Sequence, residues 1–347
     1  MKRPARIASG DVLAVVSLSS AAPHAFPHRF DAGLAQLAEA LGVEVVEMPH
    51  ARAPDELLDA HPELRAADLH AALRDKSIAG VVSSIGGEDS IRLLPHLDLE
   101  LIAAHPKPFI GYSDSTVTHM AFHAAGVVSF YGPAVMAGFA ENAGMHPYAL
   151  EGVRRMLCGG EPPGSWPPNA DGWTVEFLDW ADPENQRRRR TLQPCTGWRW
   201  LQGRGTADGR CIAGCIEVLD WLRGTPVWPD LRGAVLALET SEEAPEPVAV
   251  TRMLRAIAAA SDGLRDVRAV LFGRPGGSGL DPARHEEYDE AILRVVREEL
   301  GREDLIVVAG LDFGHTDPIW TLPIGGRITV DADSRAITFP ESVTAPA

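Results

Sequence analysis

From Phe109 to His123 the chain reads "FIGYSDSTVTHMAFH". Phe109 and Ile110 suit a short strand, and the residues from Ser115 onward carry a helical pattern that Gly126 stops. Gly111 lets the backbone turn tightly between them. The stretch therefore predicts a strand, a sharp corner and a helix, with the Ser113 hydroxyl at the corner.

The pattern extends outward from this unit. "DVLAVVSLS", "VEVVEMP", "SIAGVVSSIGG" and "VVSFYGP" read as strands. "FDAGLAQLAEALG" reads as a helix ending on Gly42, and "PDELLDAHPELRAADLHAALRD" as helix broken near Pro62. Apolar strands alternating with amphipathic helices predict a parallel sheet covered on both faces, of the flavodoxin-like kind. From Gly159 the Pro- and Gly-rich "GGEPPGSWPPNADGW" marks a connection. Beyond it "RCIAGCIEVL", "GAVLALET", "VRAVLFGRP" and "LIVVAGLDFGH" read as strands. "PEPVAVTRMLRAIAAASDG" and "DPARHEEYDEAILRVVREELG" read as helices, and "RITVDADSRAITF" as a closing hairpin. The expected organisation is two α/β domains: a nucleophile-bearing unit over 1–160, a linker and substrate-covering loop over 161–205, and a second α/β unit over 206–347.

Composition narrows the function. The 347 residues are 45% hydrophobic and 23% charged, as in ordinary globular proteins, and long enough for a sizeable core. A formal charge of −16 argues against a nucleic-acid partner, which needs a basic surface. No stretch approaches the ~20 apolar residues of a membrane span. The N-terminal "MKRPARIASGDVLAVVSLSSAA" imitates a signal peptide, but its apolar core is only "VLAVV", preceded by Asp11, and reads as a first strand. Cys158, Cys195, Cys211 and Cys215 form no C-x-x-C pair, so reduced thiols in a cytoplasmic protein are expected, without metal or other cofactor.

The corner at Ser113 is where chemistry is expected. A strand-to-helix turn of this kind presents its hydroxyl as a nucleophile elbow would, although the motif is G-Y-S-D and not G-x-S-x-G. The following helix start offers free N–H groups, among them that of Asp114, to an oxyanion. A plain helix cap at Ser113 or Asp114 is the competing reading. A nucleophilic serine needs a base. His119 and His123 share a helix face at i, i+4, which suits packing or a metal, but they lack an H-E-x-x-H pattern. His315 leaves an apolar strand in "GLDFGHTDP", where site residues gather in parallel sheets, and is the chosen base. Glu239, closing the strand in "GAVLALET", is the expected partner of His315, with Asp312 and Asp317 as rivals. Gly86 and Gly87 in "SSIGGEDS" form a turn that could bring a second N–H to the oxyanion. The run Arg187 to Arg190 is either a solvated loop or an anion contact.

Together "SSIGGEDS", "FIGYSDST", "GWRWLQG", "LALETSEE", "LFGRP" and "DFGHTDP" resemble the serine peptidase family of L,D-carboxypeptidases and microcin C immunity peptidases, over nearly the whole chain. The resemblance implies a Ser113–Glu239–His315 triad, and an oxyanion hole from backbone N–H groups at Gly86, Gly87 and Asp114. It also implies an active site between two α/β domains, and a homodimer without metal. "LETSEE" and "FLDWADPENQ" look more like the microcin-immunity branch, in which an aromatic residue on this loop stacks on the substrate's adenine. Trp180 is the candidate, with Trp173 as rival. The expected substrate is thus a peptidyl- or aminoacyl-nucleotide amide. Removal of terminal D-Ala from a murein tetrapeptide is the same-chemistry alternative, and a catalytically silent nucleotide- or peptide-binding protein the alternative of another class.

Overall fold

The computed structural model describes residues 1–260 and 263–346. Its strands, in chain order, are β1 (Val12–Val16), β2 (Glu44–Glu47), β3 (Ile78–Ser83), β4 (Phe109–Gly111), β5 (Ser129–Tyr131), β6 (Gly164–Ser165) and β7 (Arg199–Gln202). There follow β8 (Thr206–Cys215), β9 (Ala234–Glu239), β10 (Ala269–Gly273), β11 (Ile306–Leu311), β12 (Leu322–Ile324), β13 (Arg327–Asp331) and β14 (Ala336–Phe339).

They form two sheets. The first runs β12-β5-β4-β3-β1-β2. Its five N-terminal strands are parallel and stand in the order 2-1-3-4-5, the flavodoxin-like winding. Such a sheet binds ligands outside the carboxyl ends of its strands, where Ser113 follows β4 and the Gly86-Gly87 turn follows β3. The second sheet runs β6-β14-β13-β8-β9-β10-β11-β7, with β8 to β11 parallel and the flanking strands antiparallel. Every residue of β9, β10 and β11 is buried, as expected for apolar strands covered on both faces. The expected α/β class and two-sheet architecture are present.

Several local expectations change. "RCIAGCIEVL" is strand only to Cys215; Ile216–Trp221 is a helix that buries Ile216 and Leu219, three apart. A short apolar run does not distinguish the two states by itself. "RWLQ", which showed no clear period, is the edge strand β7. The helix predicted over 245–263 runs Pro247–Ala259, and Ser261 and Asp262 lie outside the described residues. Pro62 does open a new helix, Pro62–Arg74, after Asp55–Ala60.

The two halves are interlocked. β12 comes from the C-terminal part of the chain, yet it pairs antiparallel with β5 and closes the first sheet. The Cys215 N–H donates to Thr116 Oγ1 at 3.1 Å, joining the end of β8 to the helix after Ser113. Behind the second sheet's carboxyl ends, buried Asp312 accepts from Arg274 at 2.7 Å, Trp198 Nε1 at 2.8 Å and the Asn169 N–H at 3.1 Å. This ties β10, β11 and the 166–198 segment together.

Removing one member of a buried ion pair strands the other. Asp312→Ala is therefore expected to lower unfolding stability by about 3–5 kcal/mol. A urea titration that left the midpoint unmoved would contradict this role.

Candidate active site

The elbow at Ser113 is built locally. Ser113 has φ 61°, a left-handed conformation uncommon outside glycine. Ser113–Ser115 form a single 3-10 turn before the α-helix Thr116–Ala124, and Thr116 Oγ1 donates to the Ser113 carbonyl at 2.7 Å. The strained residue is fixed from two sides. Its N–H donates to the Tyr131 hydroxyl at 3.0 Å, and Gly86 packs so closely that a Cβ there would lie 2.8 Å from Ser113 Cβ.

Asp114 helps to place the Gly86-Gly87 turn. Its buried carboxylate accepts from Ser19 Oγ at 2.5 Å and from the Asp89 and Ser90 N–H groups at 3.0 and 2.8 Å. Burial raises its pKa above the usual carboxylate value, and these bonds oppose the rise. The side chain thus staples the "GGEDS" loop to the elbow, bringing Gly86 beside the Asp114 N–H.

Glu239 and His315 come from the ends of β9 and β11 in the second sheet. His315 Nε2 lies 2.9 Å from Ser113 Oγ, and Nδ1 lies 2.6 Å from Glu239 Oε2. Glu239 is wholly buried, and its other oxygen accepts from the Tyr131 hydroxyl at 2.5 Å. Gly314 has φ +93°, and a Cβ there would fall on the Glu239 carboxylate, so the loop carrying His315 needs glycine at this position. Burial pushes the His315 imidazole down, but the Glu239 and Glu242 carboxylates outweigh it and hold His315 well above the usual histidine value. Tyr131 is pushed well up by burial and by Glu239, and so keeps its proton to donate.

The rivals are held by other partners. Asp312 is engaged with Arg274, and Asp317 accepts from Arg190 at 2.7 Å. His119 is buried between Ser129 Oγ at 2.8 Å and the Gly111 carbonyl at 2.9 Å, and burial lowers its pKa to about 4. The arginine run divides. Arg187 and Arg188 pair with Glu184 and Glu176, while Arg190 is largely buried and bridges Glu141 and Asp317. It therefore answers neither expectation, being a structural cation that joins three segments.

A cleft of about 510 Å³ opens over Ser113 and His315, a size suited to a small-molecule ligand. Trp180 lines it, with the Arg29 guanidinium 4.2 Å from its ring and Phe26 edge-on at 5.8 Å. Trp173 is corrected: it is buried beneath Arg274, against His285, and does not line the cleft. Three residues of the site escaped the sequence reading. Phe177 is 63% exposed on the covering loop, beside Trp180. Tyr131 looked like core from its strand, and only its partners reveal it. Glu242 Oε2 lies 3.1 Å from His315 Nε2; it stands in the quoted "LETSEE", which was the available signal.

Residues 13–132 match the LD-carboxypeptidase N-terminal domain and residues 208–330 the LD-carboxypeptidase C-terminal domain. A putative carboxypeptidase of Streptomyces coelicolor is 31% identical over 97% of this chain and 96% of its own. The microcin C7 self-immunity protein MccF of Escherichia coli is 26% identical over 97% of this chain and 95% of its own. The crystal structure of an MccF-like protein from Streptococcus pneumoniae in complex with AMP superposes with a TM-score of 0.84 at 29% identity, covering 95% of this chain and 98% of that one.

The charges around His315 set a pH dependence of stability. A histidine raised on folding stabilises fully below its ordinary value of 6.5, and that contribution fades as pH rises through the folded value. Glu242 is lowered from 4.5 to about 2 by its bond to His315; its contribution is full above 4.5 and is lost as pH falls towards 2. The stability difference between wild type and Glu242→Gln should therefore be greatest between about pH 4.5 and 6.5. Urea titrations giving a difference that instead grows above pH 8 would contradict the pairing.

Proposed function

This chain belongs to the LD-carboxypeptidase family, and on that footing we propose that it is a serine hydrolase that opens the amide of a peptidyl- or aminoacyl-nucleotide, in a self-immunity or detoxifying role. The observation that carries the reading is the continuous chain of short hydrogen bonds from Ser113 Oγ through His315 to Glu239. In this mechanism His315 Nε2 takes the Ser113 proton as Oγ attacks the scissile carbonyl. Backbone N–H groups at Asp114 and the Gly86-Gly87 turn hold the oxyanion. The His315 proton passes to the departing nitrogen, leaving the acyl group on Ser113. Water, deprotonated by His315, then releases the acid and regenerates the hydroxyl. Glu239 holds the imidazole in the tautomer that accepts at Nε2 and supports the imidazolium formed.

Two features favour a nucleotide over a murein tetrapeptide. Trp180 offers a ring in the cleft wall for stacking, and a structural neighbour holds AMP. A murein tetrapeptide carries a free carboxylate that needs a fixed cation. Among the described cleft-lining residues the arginines are Arg29 and Arg190. Arg190 is neutralised by Glu141 and Asp317; Arg29 is held by the Met136 carbonyl, Asn142, Gln186 and the Trp180 ring. The proposed setting is a cytoplasmic homodimer, which the free thiols and the family resemblance support.

Ser113→Ala should cut turnover of an aminoacyl-sulfamoyl adenosine by at least about 10³-fold, with the folded structure retained by circular dichroism. Trp180→Ala should raise KM for that substrate about 10- to 100-fold, in line with ~1–3 kcal/mol for a stacked base. Release of D-Ala from a murein tetrapeptide with the adenosine compound untouched would move the protein to cell-wall recycling. Undiminished turnover by Ser113→Ala would overturn the mechanism.

A further inference from the structure

Glu242 stands where the proposed mechanism least accommodates a carboxylate. Its oxygen is 3.1 Å from His315 Nε2, the same nitrogen that lies 2.9 Å from Ser113 Oγ. With Nδ1–H directed at Glu239, a neutral imidazole presents a lone pair at Nε2. That lone pair can take the serine proton, but it has no hydrogen to give a carboxylate. Only the imidazolium donates to Glu242, so the observed contact belongs to the form of His315 that cannot act as base. Before turnover Glu242 has to exchange His315 for another donor.

The surroundings suit a carboxylate whose root is fixed and whose head moves. The preceding residue is anchored: Ser241 N–H and Oγ both donate to Glu217 Oε1, at 3.0 and 2.7 Å. Across the cleft mouth Gly277 sits so close that a Cβ would lie 2.9 Å from the Glu242 carbonyl. Yet the Glu242 side chain is 72% exposed, while His315 beneath it is 6% exposed. Of the arginines among the described cleft-lining residues, Arg190 is already bound to Glu141 and Asp317, and Arg29 to the Met136 carbonyl, Asn142 and Gln186. In the free protein water can serve a carboxylate this exposed; in the complex the substrate can supply the donor.

A substrate can supply one at the right place. In an acyl group attacked by Ser113, the α-nitrogen lies about 2.5 Å from the carbonyl carbon, across one Cα. A free α-ammonium thus arrives beside Ser113 Oγ, within a side-chain rotation of the Glu242 carboxylate. An α-nitrogen already in a peptide or acetyl amide carries no charge and cannot replace the imidazolium.

We propose that Glu242 is a specificity-determining residue that selects acyl donors with a free α-ammonium, exchanging its 3.1 Å contact with His315 Nε2 for a hydrogen bond to that ammonium and so freeing His315 to act as base. Within the function proposed above, on which this rests, it favours aminoacyl-nucleotides over longer peptidyl-nucleotides.

The test uses four substrates with the full-length protein and its Glu242→Gln variant. They are alanyl-sulfamoyl adenosine, its N-acetyl form, alanine p-nitroanilide and N-acetylalanine p-nitroanilide. Wild type should prefer the free amine in each pair by about 10- to 100-fold in kcat/KM, the range of a charge-assisted hydrogen bond. In Glu242→Gln that preference should shrink to about threefold or less. A wild-type preference below about threefold, or one that survives in the variant, overturns the proposal. A Glu242-dependent preference in the anilide pair with both nucleosides inert would support the inference and overturn the nucleotide reading. Turnover of neither pair would overturn both.

Discussion

The structure turns on one buried charge. Glu239 ends an apolar strand with no exposure to water, where an unpaired carboxylate would be very costly. Its two oxygens are answered from opposite halves of the molecule, by Tyr131 at the end of β5 in the first sheet and by His315 beyond β11 in the second. Separating the halves would leave Glu239 with His315 but take away the Tyr131 hydroxyl, and with it the tie to Ser113. The same Tyr131 hydroxyl accepts the Ser113 N–H, so one oxygen atom sets both the elbow and the orienting carboxylate. The alignment of Ser113 with His315 follows from satisfying Glu239.

Around that charge the fold keeps strain local. The left-handed backbone at Ser113 is held by hydrogen bonds on both sides and by contact with Gly86, while the Asp114 staple uses side-chain burial to position a loop. These features lie at the carboxyl ends of parallel strands, where side chains can converge without interrupting the ladders. The interlocking strand β12 and the Cys215–Thr116 bond keep the two sets of strand ends in register.

The sequence disclosed much of this because Ser113, Glu239 and His315 each follow a recognisable apolar strand, and polar residues at such positions stand out. Tyr131 did not stand out: in "VVSFYGP" it has the look of a core residue, and its carboxylate partner is 108 residues away. Trp173 and Trp180 were alike as letters, and only packing separates the one under Arg274 from the one in the cleft wall. Arg190 was hidden in a run that reads as solvated charge, because pairing with Glu141 and Asp317 is a tertiary event. β12 was missed for a similar reason. Leu322–Ile324 is only three residues long, and its pairing with β5 joins segments nearly two hundred residues apart.

The central claim is that Ser113, His315 and Glu239 transfer an acyl group through the enzyme before water receives it. Partitioning by hydroxylamine tests this most directly, using two alanyl substrates that differ only in their leaving group. A shared acyl-enzyme has lost the leaving group before the nucleophiles compete, so the ratio of hydroxamate to free acid should be the same for both substrates. A ratio that changes with the leaving group would mean direct attack by water and would contradict the account.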